Sequence, residues 1–216
     1  MKAIILLGAP GAGKGTVAAL LKASTDYLHV STGDMLREAV KAGSPVGLQA
    51  KSYMEKGELV PDAVILGIVR ERMEREPKTA KYMFDGFPRT LEQAAGLGEL
   101  LAQFGAKVDG VFLLDVPRDV LVDRLSGRRV CRQCGAVYHV RNIPTRVDGV
   151  CDACGGQTYQ RPDDSEATVL NRLEVYRRQT EALIAWYRER GVLFEIEAAG
   201  AKEDTRDRVL RVLAGL

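Results

Sequence analysis

The sequence predicts an α/β fold, a parallel β-sheet with helices on both faces, and three observations carry that reading. Five short apolar runs rich in β-formers recur along the 216 residues, and longer segments with helical periodicity separate them. The runs are continuously apolar and not alternating, as suits strands covered on both sides. Strands alternating with helices build parallel sheets, because each crossover returns the chain to the same end.

Taken in order, AIILL (3–7) is the first strand, followed by a glycine-rich turn and a helix over 14–24. YLHV (27–30) is the second strand, and helices over 34–42, 46–56 and 62–75 come next with no strand between them. YMF (82–84), a helix over 90–104, VFLL (111–114) and a helix over 117–126 resume the alternation. The clearest helix spans 165–190, where Val169, Leu173, Tyr176, Leu183 and Tyr187 recur at multiples of three to four. Asp163 with Glu166 resembles a capping box at its start, and Tyr176, Trp186 and Tyr187 are assigned to the core. VLFEI (192–196) and a helix over 204–214 complete the pattern. Two stretches, 31–60 and 127–164, break the rhythm and read as insertions over a sheet edge.

A chain of this length buries one substantial core. Its formal net charge of +2 gives no global field that would mark nucleic acid or an acidic membrane as partner. The apolar start stops at Leu7, too short for a signal peptide, and nothing approaches the roughly 18 apolar residues of a membrane helix. A soluble, cytoplasmic protein is expected, and cysteines confined to two close pairs suit a reducing compartment.

GAPGAGKGT (8–16) directly follows the first strand and opens the first helix. Its glycines let successive N–H groups turn toward phosphate oxygens, Lys14 adds a cation, and the helix presents its positive end. This is a P-loop in the required context. The hydroxyl that usually follows the lysine arrives one position late, at Thr16 after Gly15, and the N-K-x-D of a GTPase is absent. DGFPR (85–89) sits at the end of the third strand, where α/β sheets collect ligands. There Asp85 suits magnesium-bound water and Arg89 a phosphate. Arg124 and Arg128 lie four apart on one helix face, Arg161 leaves the second insertion, and Arg172 lies in the next helix. His29 and His139 fall on strand positions and are assigned structural roles. An acceptor phosphate, already ionised near neutrality, needs no general base.

The four cysteines form C-x2-C, sixteen residues, C-x2-C: Cys131, Cys134, Cys151 and Cys154. That spacing gathers four thiolates around one Zn²⁺ and leaves no open position, so the metal is structural. An insertion of some 38 residues is too small for its own apolar core, and a metal staple compensates.

With GAPGAGKGT, STGDMLR (31–37), GELVPD (57–62), DGFPRT (85–90), GRR after Arg124, QRPDD (160–164) and the paired C-x2-C, the chain closely resembles the adenylate kinase family, in its long-lid, zinc-bearing branch. The resemblance implies a P-loop NTPase core with a five-stranded parallel sheet over 1–30, 61–126 and 165–216. It also implies a helical nucleoside-monophosphate-binding lobe at 31–60 and a β-rich lid at 127–164. The implied reaction is Mg·ATP + AMP ⇌ 2 ADP, in a monomer with no nucleic-acid or membrane partner. Gly11, Ala12, Gly13, Lys14, Gly15 and Thr16 would hold ATP phosphates. Arg124, Arg128, Val137, Tyr138 and the main chain at Lys202 would meet the rest of ATP. Thr32, Arg37, Glu58, Leu59, Val60, Gly86, Phe87, Pro88, Arg89 and Gln93 would surround AMP, with Gln93 reading adenine. Arg161 and Arg172 would bridge the phosphates, and Lys14, Asp85, Arg89 and Arg128 complete the catalytic set. Two alternatives are a sister kinase acting on UMP or CMP and a P-loop module whose zinc ribbon binds RNA or protein.

Overall fold

The computed structural model describes residues 2–216; Met1, the first residue of the expected core segment 1–30, lies outside them. The first strand, β1 (Lys2–Leu7), shows why its run is uniformly apolar. Successive strand side chains alternate in direction, so Ala3, Ile5 and Leu7 enter one buried cluster while Ile4 and Leu6 enter the other. Both faces are covered from Ala3 to Leu7, and only Lys2 at the strand's start is polar.

The remaining strands of this sheet are β2 (Tyr27–Ser31), β3 (Lys81–Asp85), β4 (Val108–Asp115) and, after a three-stranded sheet described below, β8 (Leu193–Glu197). They pair in the order β2-β3-β1-β4-β8, every pair parallel. The five expected strands are therefore all present, as one five-stranded parallel sheet. The helices α1 (Lys14–Ser24), α2 (Thr32–Lys41), α3 (Pro45–Lys56), α4 (Asp62–Glu74), α5 (Leu91–Gln103) and α6 (Arg118–Ser126) lie within two residues of the expected bounds. Residues of α2 to α5 pack on the Ala3 face, and residues of α1 and α6 on the Ile4 face. Since β2 and β4 lie on opposite sides of the β3-β1 pair, the crossovers diverge around β1, and a crevice opens at the carboxyl ends of the strands.

After β2 ends at Ser31, residues 32–60 carry α2 and α3 with no strand between them, as expected. Ser31 and Ser44 cap these helices by accepting from Asp34 N–H and Gly47 N–H. Residues 128–159 carry a separate antiparallel sheet, β6-β5-β7, built from β5 (Arg128–Cys131), β6 (Val137–His139) and β7 (Thr158–Tyr159). Gly127 allows the passage from α6 into β5, since a Cβ there would stand 2.1 Å from His139 Nε2.

Three expectations are corrected. The helix expected over 165–190 is α7 (Glu166–Val175), a π-helical stretch (Tyr176–Thr180) and α8 (Ala182–Glu189). Of its aromatic residues, Tyr187 is buried in the core and Trp186 packs half-buried against it, with Arg190 stacked on its ring at 3.5 Å, whereas Tyr176 is half-buried outside the core clusters. Asp163 and Glu166 form no capping box: Ser165 caps α7, and Asp163 binds Arg172. Arg124 and Arg128 do not share a helix face, because α6 ends at Ser126 and Arg128 begins β5. The last helix, α9 (Lys202–Leu213), packs on α1. No helix among the described residues is long and apolar enough to cross a membrane.

Two predictions follow from packing and titration. A Cβ at Gly47 would stand 2.1 Å from the Ala39 carbonyl oxygen, so Gly47→Ala should cost about 1–3 kcal/mol in urea unfolding. Gly98→Ala, a helical site with open space around it, should gain about 0.5–1 kcal/mol. His139 is held neutral: Nδ1 accepts from Arg141 and Asn142 N–H at 3.1 Å each, and Nε2 lies 3.0 Å from the Asp123 carbonyl oxygen. Burial, then Arg129 and Arg124, lower its pKa, so the unfolded chain takes up the proton first. This contribution is complete above the unfolded pKa of about 6.5 and is lost as pH falls through it toward the folded value. The melting temperature should drop more steeply with acidification below that point in the parent than in His139→Gln; equal slopes would refute the assignment.

Candidate active site

β1 ends at Leu7, and seven residues later α1 begins, so the chain must reverse within a short loop. Gly13, the N-cap of α1, takes φ 93° and Gly11 takes φ 86°, left-handed conformations that favour glycine. Close approach also excludes a side chain at Gly11, whose Cβ would stand 3.0 Å from the Leu121 carbonyl oxygen. No side chain caps α1, so its first N–H groups are free to face a ligand. Lys14 Nζ donates to the carbonyl oxygens of Gly8 and Ala9 at 2.7 and 3.0 Å, which holds the ammonium across the loop. Burial pushes Lys14 down to about 8, with Asp85 opposing and Arg89, Arg172 and Arg128 adding, and the amine stays mostly protonated at neutral pH.

Parallel pairing brings the strand ends level: Asp85 of β3 is in register with Leu6 of β1 and Ser31 of β2. Asp85 therefore arrives beside the loop. A Cβ on Gly15 would stand 3.4 Å from Asp85 Oδ2, so the carboxylate occupies the side where a residue-15 hydroxyl would project. His29 Nε2 lies 3.2 Å from the same oxygen.

Beyond β3 the chain turns through Gly86, Phe87 and Pro88, the last two buried. Arg89 Nε donates to the Gly86 carbonyl oxygen at 2.8 Å, and Thr32 Oγ1 donates to the same oxygen at 3.1 Å. Gln93, one helical turn later, is buried against Arg89 and Asp62. Thr32, Arg37, Glu58, Leu59, Val60, Gly86, Arg89, Gln93 and Arg172 line a cavity of about 70 Å³. This cavity adjoins a cleft of about 1750 Å³ that is lined by the glycine loop, β5, β6 and the 198–203 segment.

Four arginines converge on that cleft from separate elements. Arg128 forms a two-pronged pair with Asp164, at 2.8 and 2.5 Å, and Asp164 is fully buried. Arg172 meets Asp163 Oδ2 at 3.0 Å and Asp164 Oδ1 at 3.1 Å. Arg161 Nε is buried with no hydrogen-bond partner among the described residues. Burial and then Arg172 push Arg89 down to about 10; burial and then Arg37 and Arg128 do the same to Arg161. Burial would raise Asp163, but Arg172 and Arg128 hold its carboxyl below the usual range. Lys14, Arg37, Arg89, Arg128, Arg161 and Arg172, all half-buried, outnumber Asp34, Asp85, Asp163 and Asp164, so the cleft wall is left with an excess of positive charge.

The four cysteine sulfurs lie within 4.8 Å of one another, with Cys131 to Cys154 at 3.5 Å and Cys134 to Cys151 at 3.6 Å. Each C-x2-C closes a turn, as Gly135 and Gly155 N–H donate to the carbonyl oxygens of Cys131 and Cys151. Both glycines take φ 73°. All four thiols are free, and the Tyr138 hydroxyl, 3.3 Å from Cys151 Sγ, pushes that thiol down to about 6. Edges of a tetrahedral zinc tetrathiolate are about 3.8 Å, given Zn–S bonds of about 2.3 Å, so the set fits a metal ion.

The remaining expected residues are placed differently from one another. Gly11, Ala12, Thr16, Val137 and Lys202 all line the large cleft. Arg124 also reaches it, but its guanidinium donates to the carbonyl oxygens of Ala198 and Ala199 at 3.0 to 3.1 Å. Tyr138 is buried, and its hydroxyl is taken up by Cys151 and by Asp152 N–H at 2.9 Å. Four residues at the site were not expected there: His29 against Asp85, Asp62 against Gln93, and Asp163 and Asp164 against the arginines. The adjoining Asp pair in QRPDD and the Asp closing GELVPD were the available signals.

A family model described as "Adenylate kinase" matches residues 6–192. Among curated relatives, an adenylate kinase of Moorella thermoacetica is 52% identical over 198 residues, covering 92% of this chain and 91% of that one. One of Carboxydothermus hydrogenoformans is 50% identical over 201 residues, covering 93% and 94%. One of Syntrophobacter fumaroxidans is 49% identical over 210 residues, covering 97% and 99%. On the loop, the arginine-lined cleft and these likenesses along nearly its full length, the chain belongs to the adenylate kinase family.

Proposed function

We propose that the protein catalyses reversible transfer of the terminal phosphoryl group of Mg·ATP to AMP, giving two ADP. The observation that carries this is the excess of half-buried cations around one cleft, drawn from the glycine loop, the β3 end, β5 and the 161–172 segment. Two phosphate chains meeting end to end crowd negative oxygens together, and such transfer is catalysed by positioning and charge neutralisation.

In this reading the open N–H groups of residues 11–16 hold the ATP phosphates, and Lys14 leaves its loop carbonyls to follow the transferring group. Arg128, Arg161 and Arg172 neutralise the oxygens between the two nucleotides, Arg161 with a free Nε–H and the others held by Asp163 and Asp164. Arg37 and Arg89 take the acceptor phosphate, and the smaller cavity takes the AMP base beside Gln93, with Phe87 and Pro88 shaping the turn. Arg124 and Lys202 face ATP through the 198–203 segment, the former by ordering its carbonyls. No group need accept a proton, because the acceptor oxygen is already ionised. Magnesium, bound with ATP, would draw on Asp85 for its water shell and supply further neutralisation of phosphate charge.

Zn²⁺ is the proposed occupant of the four-cysteine site, as a structural metal. The organisation we propose is a core of 1–30, 61–126 and 165–216, an AMP lobe at 31–60 and a lid at 127–164. Closure of that lid would exclude water, which otherwise competes as acceptor. We take the enzyme to be a monomer, and we place it in the cytoplasm because four free thiols poised for metal suit a reducing compartment.

Three outcomes test these assignments. Lys14→Met should lower kcat at least about 100-fold with the melting temperature retained; turnover near that of the parent would remove Lys14 from the mechanism. Chelation, or Cys131→Ser, should lower the melting temperature and release one zinc per chain by elemental analysis; metal-free protein of unchanged stability would refute a structural zinc. In a coupled assay offering ATP with each monophosphate, AMP should turn over fastest, and faster use of UMP or CMP would reassign the acceptor.

A further inference from the structure

The side chain of Gln93 is held in a closed circuit of hydrogen bonds. Its Oε1 accepts from Arg89 N–H at 2.8 Å, and its Nε2 donates to Asp62 Oδ1 at 2.7 Å. The other Asp62 oxygen accepts from Thr90 Oγ1 at 3.0 Å. Thr90 Oγ1 in turn accepts from Gln93 N–H at 3.1 Å, capping α5. Gln93 is only 2% exposed, and it lines the smaller cavity. The circuit leaves one Nε2 hydrogen and one Oε1 lone pair for a ligand.

A glutamine amide is ambidextrous: rotation by 180° about its last bond exchanges donor and acceptor. Adenine offers a donor at N6 beside an acceptor at N1, whereas a 6-oxopurine offers the reverse, an acceptor at O6 beside a donor at N1. A free glutamine can read either base by turning over. Gln93 cannot turn without setting Nε2–H against Arg89 N–H and Oε1 against a carboxylate oxygen. An ionised carboxylate only accepts, so Asp62 offers no second way to satisfy the amide. A buried unsatisfied pair of this kind costs enough to discriminate strongly between partners.

We propose that Asp62 is a positioning residue that sets purine selectivity, by locking the Gln93 amide in the sense that reads adenine and rejects 6-oxopurines. The proposal rests on the reading that Gln93 meets the AMP base. Asp62 itself opens α4 at the end of GELVPD, and Thr90 Oγ1 ties it to the start of α5. Two helix N-termini thus hold one amide.

The test is kcat/KM for AMP and for IMP, with ATP as donor, in the parent, Asp62→Asn, Asp62→Ser and Gln93→Met. Asparagine and serine both donate as well as accept, so either removes the carboxylate half of the lock and leaves only Arg89 N–H opposing the turned amide, and serine suits a helix start. The AMP/IMP ratio should fall at least tenfold in both Asp62 variants, through a higher KM for AMP and a lower KM for IMP, and should collapse in Gln93→Met. A ratio kept in folded Asp62 variants but lost in Gln93→Met would overturn the role of Asp62 and keep the base-reading role of Gln93. Equal losses with both acceptors would show Asp62 to be structural only, and also overturn it. A ratio unchanged in Gln93→Met would overturn the reading beneath both.

Discussion

The constraint on which the structure depends is the confinement of like charges. Several cationic side chains face one cleft, and burial together with mutual repulsion lowers Lys14, Arg89, Arg161 and Arg172 below their ordinary pKa values. Such an arrangement is unfavourable in the protein alone and becomes favourable when polyanions enter. The chain contains the repulsion without cancelling it: Asp164 is fully buried and takes two guanidinium groups, while Arg161 keeps an unpartnered Nε–H. Removing one partner of a buried pair commonly costs about 3–5 kcal/mol, so Asp164 is as much a part of the scaffold as the apolar core.

The sheet delivers these groups by register. Leu6, Asp85 and Ser31 lie abreast, so the glycine loop, the Asp85 carboxylate and the start of α2 all emerge at one edge. The two apolar clusters that flank the sheet keep that edge rigid. The arginines come from different segments: Asp164 holds Arg128 and Arg172, the Gly86 carbonyl holds Arg89, and Asp34 holds Arg37. Rigidity of the core and repulsion in the cleft are thereby separated: one stores stability, the other stores affinity for phosphate.

The small sheet over 128–159 follows a different rule. Its buried apolar cluster consists of little more than Tyr138 and two cysteines, so thiolates do what leucines do elsewhere. Tyr138 joins the two regimes, its ring in that cluster and its hydroxyl on Cys151. His139, next in sequence, secures the same sheet to α6 through the Asp123 carbonyl.

Much of this was legible in residue order. The five strands follow from uniform apolar runs, because a strand buried on both faces leaves no choice of side-chain type. The P-loop follows from glycine spacing, and the cysteine cluster follows from C-x2-C repeats, since both are local geometries. Purely local patterns misled at three places. Helical spacing carried 165–190 across a π-helical stretch, put Arg128 on a helix that ends at Ser126, and made a cap of Asp163, which Arg172 claims instead. The partners Asp62–Gln93, His29–Asp85 and Arg128–Asp164 lie 31 or more residues apart. What sequence alone determined is therefore what short-range sterics and periodic burial dictate; which carboxylate answers which cation was decided only when the sheet brought distant strand ends together, because electrostatic partnership depends on distance in space and not along the chain.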